Sequence, residues 1–253
     1  MGFQRAGWPL FKKASYKNTT VVKALVNTGQ CVGYWQVSVG HQYANKTYNT
    51  IFREVRRKMS EYTLERFLDD CKSTCKEFVA PADIVLEISP LMGKLLESGT
   101  SFLKEEHFQS NPNHYARNPV FVCSTGTLSL FTMVWSPGQW TPVHDHGTWG
   151  VVGIIKGVLH ERNFLRMDNR EREDSGISLR RGGNILLSQN SVTTFVPNPD
   201  HIHRTGVPRN QGEAVSLHLY GREMNNYHIY DMELGRRRRI NLDDDTLDKV
   251  STD

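Results

Sequence analysis

The sequence has few cysteines, and their spacing fits neither a disulfide framework nor a metal finger. The four, Cys31, Cys71, Cys75 and Cys123, are spread over 253 residues. Small secreted domains that depend on disulfides contain far more cysteine, and structural zinc sites use closely spaced pairs. We therefore expect reduced thiols and a cytoplasmic protein. Cys71 and Cys75 lie four apart on a predicted helix and could bind a metal or sense oxidation, but most such pairs are inert and we assign them no role.

Long apolar runs and a strong charge bias are also absent. No segment approaches the roughly 18 consecutive apolar residues of a membrane span, and the basic residues 1–17 contain no continuous apolar core like that of a secretory signal. The net charge of +4 comes from 31 basic and 27 acidic residues. Much of the surplus is the arginine run 236–239, which we interpret as a solvated face because acidic residues 243–245 follow it. The sequence therefore predicts no nucleic-acid or membrane partner.

Two kinds of sequence follow one another along the chain. Apolar residues recur near helical spacing from residue 50 to about 108, with a break at Pro81; they include Ile51, Val55, Met59, Leu64, Phe67 and Leu68. From Pro119 onward, short β-branched and aromatic runs alternate with Gly, Pro and Asn, a pattern typical of a β-barrel or sandwich. The predicted strands are 120–123, 128–135, 151–155, 158–164, 184–187, 192–196 and 214–220.

Helices followed by strands could form two domains, but we favour one. A helical layer of this size buries too little surface alone and needs a partner face. The predicted organisation is an N-terminal extension (1–50), a helical layer packed on the barrel (51–110), the barrel with its site (111–235) and a charged tail (236–253). The two ends are expected to be peripheral because they are less patterned.

Two pairs of histidines could hold a metal ion. His144 and His146 lie two apart in a β context, so alternation points both side chains to one face. Imidazole nitrogens about 2.0–2.2 Å from one ion suit this spacing. A third ligand could be His201 or His203, which have the same spacing, and the residues alone do not choose between them. They also leave open whether His201 or His160 touches the site.

The spacing of Gly138, His144, His146 and Gly157 resembles the first cupin motif. In cupins, a Gly-bounded strand pair presents metal-binding histidines inside a barrel. The acidic ligand of that motif would fall near Gly150 or Val151, which cannot bind a metal through their side chains. The resemblance therefore implies an all-histidine site. Three neutral imidazoles would leave a divalent iron with its full charge and with open positions for anionic ligands.

A longer set of motifs resembles the cysteine dioxygenase family of thiol dioxygenases over residues 111–235. Its parts are Tyr115-Ala116-Arg117-Asn118, His144-Asp145-His146, His203-Arg204 and Ser216-Leu217-His218-Leu219-Tyr220. The resemblance selects His203 over His201 as the third ligand and implies Fe(II), one per chain. The implied fold is mainly β, a cupin double-stranded β-helix (jelly-roll barrel) with an N-terminal helical layer.

The resemblance also implies roles for five other residues. Arg117 and Tyr115 would bind the substrate, with Arg117 holding its carboxylate, and Ser216, His218 and Tyr220 would lie beside the iron as the catalytic set. Independently, positions 216, 218 and 220 alternate on one strand and must share a face. A polar row inside a barrel is costly unless its members form hydrogen bonds. The alternative is a row of polar residues on a solvated strand face.

The implied activity is an iron-dependent thiol dioxygenase whose partners are a small thiol and dioxygen. Relatives that act on 3-mercaptopropionate tend to carry Gln where Arg117 stands, so Arg117 favours L-cysteine and its oxidation to cysteine sulfinate. Mercaptosuccinate would also suit an arginine. Animal members carry a cross-linking cysteine where Val151 stands, so no thioether can form from that position. The competing interpretations are a non-oxidative cupin that uses zinc, manganese or nickel and a non-catalytic cupin that binds a metabolite.

Overall fold

A computed structural model describes residues 62–197 and 201–241, and the backbone alone of residues 12–16, 19–27 and 32–40. The chain divides into two compact units, residues 1–61 and 62–253. In the first unit, strands β1 (Lys12–Tyr16), β2 (Thr19–Asn27) and β3 (Val32–Gly40) form an antiparallel sheet in that order. No strand was predicted there, although β-branched stretches such as residues 19–22 favour one.

Two helices begin the second unit. Helix α1 (Leu64–Glu77) starts after Thr63, whose hydroxyl accepts a hydrogen bond from the Arg66 amide, and α2 (Pro81–Glu97) starts with a proline in its first turn, where no backbone donor is lost. A 3-10 turn follows at Glu105–Phe108. The predicted helical positions Ile51, Val55 and Met59 lie outside the described residues. No helix in the described ranges is long and apolar enough to span a membrane.

A five-stranded antiparallel sheet has the helices on one face and the barrel interior on the other. Its strands, in order across the sheet, are β4 (Ala116–Val122), β5 (Ser129–Trp135), β11 (Ala214–Tyr220), β6 (Gly150–Lys156) and β9 (Val192–Phe195). On β11, Leu217 and Leu219 belong to the apolar core that also contains Ile88 and Met92 of α2, so the intervening residues of β11 face inward.

A second sheet closes the barrel. Its strands are β7 (Val158–Arg166), β8 (Leu179–Ser188), β10 (Ile202–Gly206), β12 (Asn226–Asp231) and β13 (Arg236–Asn241). Strand β7 lies between β10 and β8. On the other side of β10, residues 139–145 form backbone hydrogen bonds with both β10 and β12, and so connect the two parts of this sheet. The two sheets together form the mainly β, double-stranded β-helix with an outer helical layer that the sequence predicted.

The arginine run differs from its predicted form. Residues 236–241 are strand β13, paired with β12 along its length, so the charged tail does not begin at residue 236. Arg236, Arg238 and Arg239 are exposed, as a solvated face requires. The interpretation is wrong for Arg237, whose side chain is 8% exposed and forms ion pairs with Glu173 and Asp174. Residues 242–253 lie outside the described residues.

Candidate metal centre and its cavity

Three histidines from two neighbouring backbone segments meet inside the barrel. The His144 amide donates to the His203 carbonyl at 2.8 Å, and the His203 amide donates back to His144 at 2.9 Å. This direct pairing brings the two side chains to one face, and alternation adds His146. One nitrogen from each ring lies within 4.8 Å of the others. The structure therefore brings together the three residues predicted as ligands.

The nitrogens of this cluster fit a metal ion. The His144 Nδ1–H can donate to the Pro142 carbonyl at 3.0 Å, which leaves Nε2 with its lone pair. The Nε2 atoms of His144 and His146 lie 3.2 Å apart, the separation expected of two ligands about 2.1 Å from one ion at an angle of about 100°. His203 Nε2 is buried and has no hydrogen-bond partner among the described residues. Buried nitrogens without partners are rare unless they bind a ligand or ion.

Burial keeps the three imidazoles neutral. Loss of solvation, followed by the proximity of His203, lowers the pKa of His144 to about 3, and loss of solvation lowers the pKa of His203 to about 3. The same cause, together with His144, holds the pKa of His146 well below its usual value. Neutral imidazole is the form that binds a metal. The cluster is therefore ready to bind at neutral pH without first releasing protons.

The two remaining histidine candidates differ in their relation to the cluster. His201 Nε2 lies 3.1 Å from His203 Nδ1, so His201 contacts a ligand candidate from behind. His160 Nε2 instead lies 3.0 Å from the Gln211 side-chain oxygen, and its ring packs on Trp140. Of the two, His201 is therefore the one that adjoins the site.

Ser216, His218 and Tyr220 form a hydrogen-bonded row on β11. Ser216 Oγ is 2.8 Å from His218 Nε2, and His218 Nδ1 is 3.2 Å from the Tyr220 hydroxyl. The Trp135 indole N–H donates to Ser216 Oγ at 2.9 Å. All three predicted members are buried, so a row on a solvated face is excluded. The row ends beside the metal cluster, where the Tyr220 ring centre is 5.5 Å from that of His146.

One arrangement of protons satisfies every hydrogen bond of the row. Loss of solvation lowers the pKa of His218 to about 3 and raises the pKa of Tyr220 above its usual value, so both are neutral near pH 7. Because Ser216 accepts from Trp135, its own hydroxyl proton can go to His218 Nε2. In that tautomer, His218 Nδ1–H donates to the Tyr220 oxygen, and the Tyr220 hydroxyl proton can be donated into the cavity that Tyr220 lines.

A cavity of about 670 Å³ contains the rest of the predicted site. The Arg117 guanidinium donates to the Met224 carbonyl at 2.5 Å and lies 3.6 Å over the Phe131 ring. Tyr115 stacks on Trp135 with ring centres 4.7 Å apart. Ser216 lies behind His218, while the other predicted site residues line the cavity: Tyr115, Arg117, His144, His146, His203, His218 and Tyr220.

With this geometry, sequence similarity identifies the family. The family model for cysteine dioxygenase type I matches residues 68–233. The chain belongs to this family. Human cysteine dioxygenase type 1 is 26% identical over 129 residues, which cover 51% of this chain and 61% of the human protein. The zebrafish protein is 26% identical over 149 residues, which cover 54% of this chain and 71% of that protein. The chain thus spans less than two thirds of the human relative.

More distant similarity extends to solved structures. One is a Klebsiella pneumoniae protein with a double-stranded β-helix domain, with a TM-score of 0.37 and 11% identity, covering 51% of this chain and 91% of that one. Another is an oxalate oxidase, with a TM-score of 0.35 and 15% identity, covering 48% of this chain and 60% of that one.

The position at which the resemblance implied a cross-linking cysteine, Val151, does not pair with Tyr220. Val151 faces the helical layer, and the residue paired with Tyr220 on β6 is Gly150. A side chain at Gly150 would collide with the Phe195 ring. Phe195 fills this space and stacks between the rings of His146 and His201, at 4.3 and 5.0 Å between centres.

Sequence reasoning missed several residues of the site. Trp135 alternates with Phe131 and Met133 toward the interior of β5, so its inward position was open to prediction from the strand. Phe195 and Tyr227 come from strands whose pairing with the site has no local signal. Tyr227 nevertheless lines the cavity, and its ring lies 5.6 Å from that of His144.

Proposed function

We propose that the chain is an iron-dependent thiol dioxygenase that binds one Fe(II) per chain through His144, His146 and His203. It would add both atoms of dioxygen to the sulfur of a small thiol carboxylate, with L-cysteine oxidised to cysteine sulfinate. The observation that carries the proposal is the three-histidine cluster facing the Tyr220 end of the polar row in one cavity. Membership of the cysteine dioxygenase family supports it.

The donor set suits this chemistry. When bound, iron would supply adjacent positions for a thiolate and dioxygen and the redox chemistry that joins them. Three neutral imidazoles add no negative charge, so a thiolate is favoured there. The reaction balances without a further reductant, because the sulfur of R–SH loses four electrons, dioxygen gains four, and the product R–SO₂H contains every atom of both reactants.

Arg117 is the proposed anchor of the substrate carboxylate. Its guanidinium lies at the cavity wall and is oriented by the Met224 carbonyl and the Phe131 ring. A planar guanidinium in a fixed orientation can bind a carboxylate through two parallel hydrogen bonds. Tyr115 lines the same cavity. A thiol acid held there would direct its sulfur toward the histidine cluster.

Tyr220 is the proposed proton donor of the polar row. Its raised pKa keeps the hydroxyl protonated, and His218 with Ser216 fixes its direction. A hydrogen bond from Tyr220 would stabilise negative charge that develops on oxygen during the transfer to sulfur. His218 and Ser216 then act on the reaction through Tyr220.

The deciding experiment is dioxygen consumption by iron-loaded protein with L-cysteine, 3-mercaptopropionate and mercaptosuccinate in parallel. Uptake with formation of the matching sulfinate is expected, with L-cysteine preferred. His203→Ala is the matched control, since it removes one ligand and should abolish uptake. The absence of uptake with each thiol, from protein that has bound iron, would refute the proposal. Consumption of a thiol without dioxygen uptake, by protein loaded with zinc, manganese or nickel, would instead indicate a non-oxidative cupin.

A further inference from the structure

Glu161 is a buried carboxylate behind the metal cluster that the proposed reaction does not use. It lies on β7, across from Thr205 on β10, with its side chain 4% exposed. We infer that Glu161, together with His201, is a positioning pair that fixes His203 as a metal ligand and increases the electron density of its Nε2. The inference rests on the proposed metal site at His144, His146 and His203.

The geometry around His203 singles out this pair. When His203 Nε2 binds a metal, the proton of the neutral ring must be on Nδ1. His201 Nε2 lies 3.1 Å from that Nδ1, and Glu161 Oε2 lies 3.7 Å from it. The other carboxylate oxygen, Oε1, lies 3.6 Å from His201 Nε2. With the proton on His203 Nδ1, His201 Nε2 can accept it, while the two carboxylate oxygens lie just beyond hydrogen-bond distance of the rings and act on them through charge.

The burial of the Glu161 carboxylate is explained if a positive charge lies nearby. Removing a carboxylate from water is expensive unless a cation lies nearby. In the part of the chain that the structure describes, the only ion-pair contacts of Glu161 are those with His201 and His203. A divalent ion on the far side of the His203 ring would provide the missing positive charge. Carboxylates that act on a metal through a ligand histidine fix its tautomer and raise its basicity.

The three candidate ligands are held differently. His144 Nδ1 faces the Pro142 carbonyl, whereas His146 Nδ1 has no hydrogen-bond partner among the described residues. His203 is thus the ligand with a carboxylate behind it. The position of the His203 ring is also fixed through its neighbour, because His201 contacts His203 and itself stacks on Phe195. We therefore expect His203 to be the strongest donor of the three.

The test compares metal binding by the wild-type full chain and by Glu161→Gln, which removes the charge but keeps the shape. Co²⁺ and Fe²⁺ are titrated against a competing chelator, and the visible spectrum of the Co²⁺-loaded protein reports the ligand field. We expect binding weakened about ten- to a hundredfold and a shifted Co²⁺ spectrum. Glu213→Gln is the matched control, since Glu213 pairs with Lys156 at the surface and should leave both readouts unchanged.

The outcomes separate this inference from the proposed function. Equal affinity and an unchanged spectrum in Glu161→Gln would overturn the positioning role. Two Co²⁺ ions per wild-type chain, one of them lost in Glu161→Gln, would also overturn it, because Glu161 would then bind a second ion directly. Failure of the wild-type protein to bind either metal would instead refute the metal site itself. If Glu161→Gln does not fold, His201→Gln at its partly exposed position provides the same comparison, with weaker binding expected.

Discussion

The proposed choice of substrate depends on one guanidinium. Replacing Arg117 by Ala removes the charge that the Met224 carbonyl and the Phe131 ring orient at the cavity wall. A charge-assisted hydrogen bond contributes about 1.5–3 kcal/mol, so we expect the KM for L-cysteine to rise roughly ten- to a hundredfold. Steady-state dioxygen uptake measures this effect.

The controls for Arg117 test the carboxylate directly. Arg180→Ala removes an exposed arginine of β8 and should leave the KM unchanged. Cysteamine, which has no carboxylate, should be oxidised poorly by the wild-type protein and no worse by Arg117→Ala. An unchanged KM for L-cysteine in Arg117→Ala would remove this residue from the carboxylate site.

The Tyr220 hydroxyl should act on turnover rather than on binding. Tyr220→Phe keeps the ring that packs near His146 but removes the proton donor at the end of the row. Proton donation by a positioned side chain is typically worth a hundredfold or more, so we expect kcat to fall by about that factor at similar iron content. Tyr62→Phe is the matched control, because it removes a hydroxyl bonded to Asp70 in the helical layer. Unchanged kcat in Tyr220→Phe would contradict the proposed role.

The site residues were predictable where local spacing determines direction. Alternation alone put Ser216, His218 and Tyr220 on one face, and the row is indeed internal and hydrogen bonded. Spacing did not choose between His201 and His203; the family resemblance did. Glu161 had no signal, because its proximity to His203 follows from the pairing of β7 with β10, which is a long-range contact.

Strand β10 and residues 139–144 approach each other so closely that glycine is needed at position 206. A Cβ on Gly206 would meet the Gln139 carbonyl oxygen and lie 2.6 Å from Trp140 Cγ. The backbone segment that carries His144 would have to move. We expect Gly206→Ala to destabilise the fold by about 1–3 kcal/mol and to weaken metal binding, as measured by denaturant unfolding and by Co²⁺ titration.

Gly183 provides the comparison for this variant. It lies on β8, and a Cβ added there would have no neighbouring atom within 4 Å, so Gly183→Ala tests the same chemical change without the close approach. Stability and Co²⁺ affinity should be unaffected there. If Gly206→Ala binds Co²⁺ as tightly as the wild-type protein, the close approach does not position His144.

The strands that the sequence predicted are those with apolar β-branched residues on at least one face. The predicted ranges 128–135 and 214–220 correspond to β5 and β11, which are buried throughout. Strands β10, β12 and β13 were not predicted, because histidine and arginine occupy positions where an apolar pattern would normally appear. Strand β13 contains Arg236 to Arg239. It is held by backbone pairing with β12, which the pattern of its side chains does not predict.

Residues 62–241 should unfold as one cooperative unit, because the helices and the five-stranded sheet share a core. Ile88 of α2 is fully buried in that core beside strands β5, β6 and β11. Ile88→Ala should therefore cost about 2–5 kcal/mol, and hydrogen exchange followed by mass spectrometry should show the loss equally in peptides from α2 and β11. Leu86→Ala, at an exposed position of the same helix, should change neither the free energy of unfolding nor the hydrogen exchange of these peptides. Faster exchange confined to the helices would mean that the layer opens independently of the barrel, and the one-domain prediction would then be wrong.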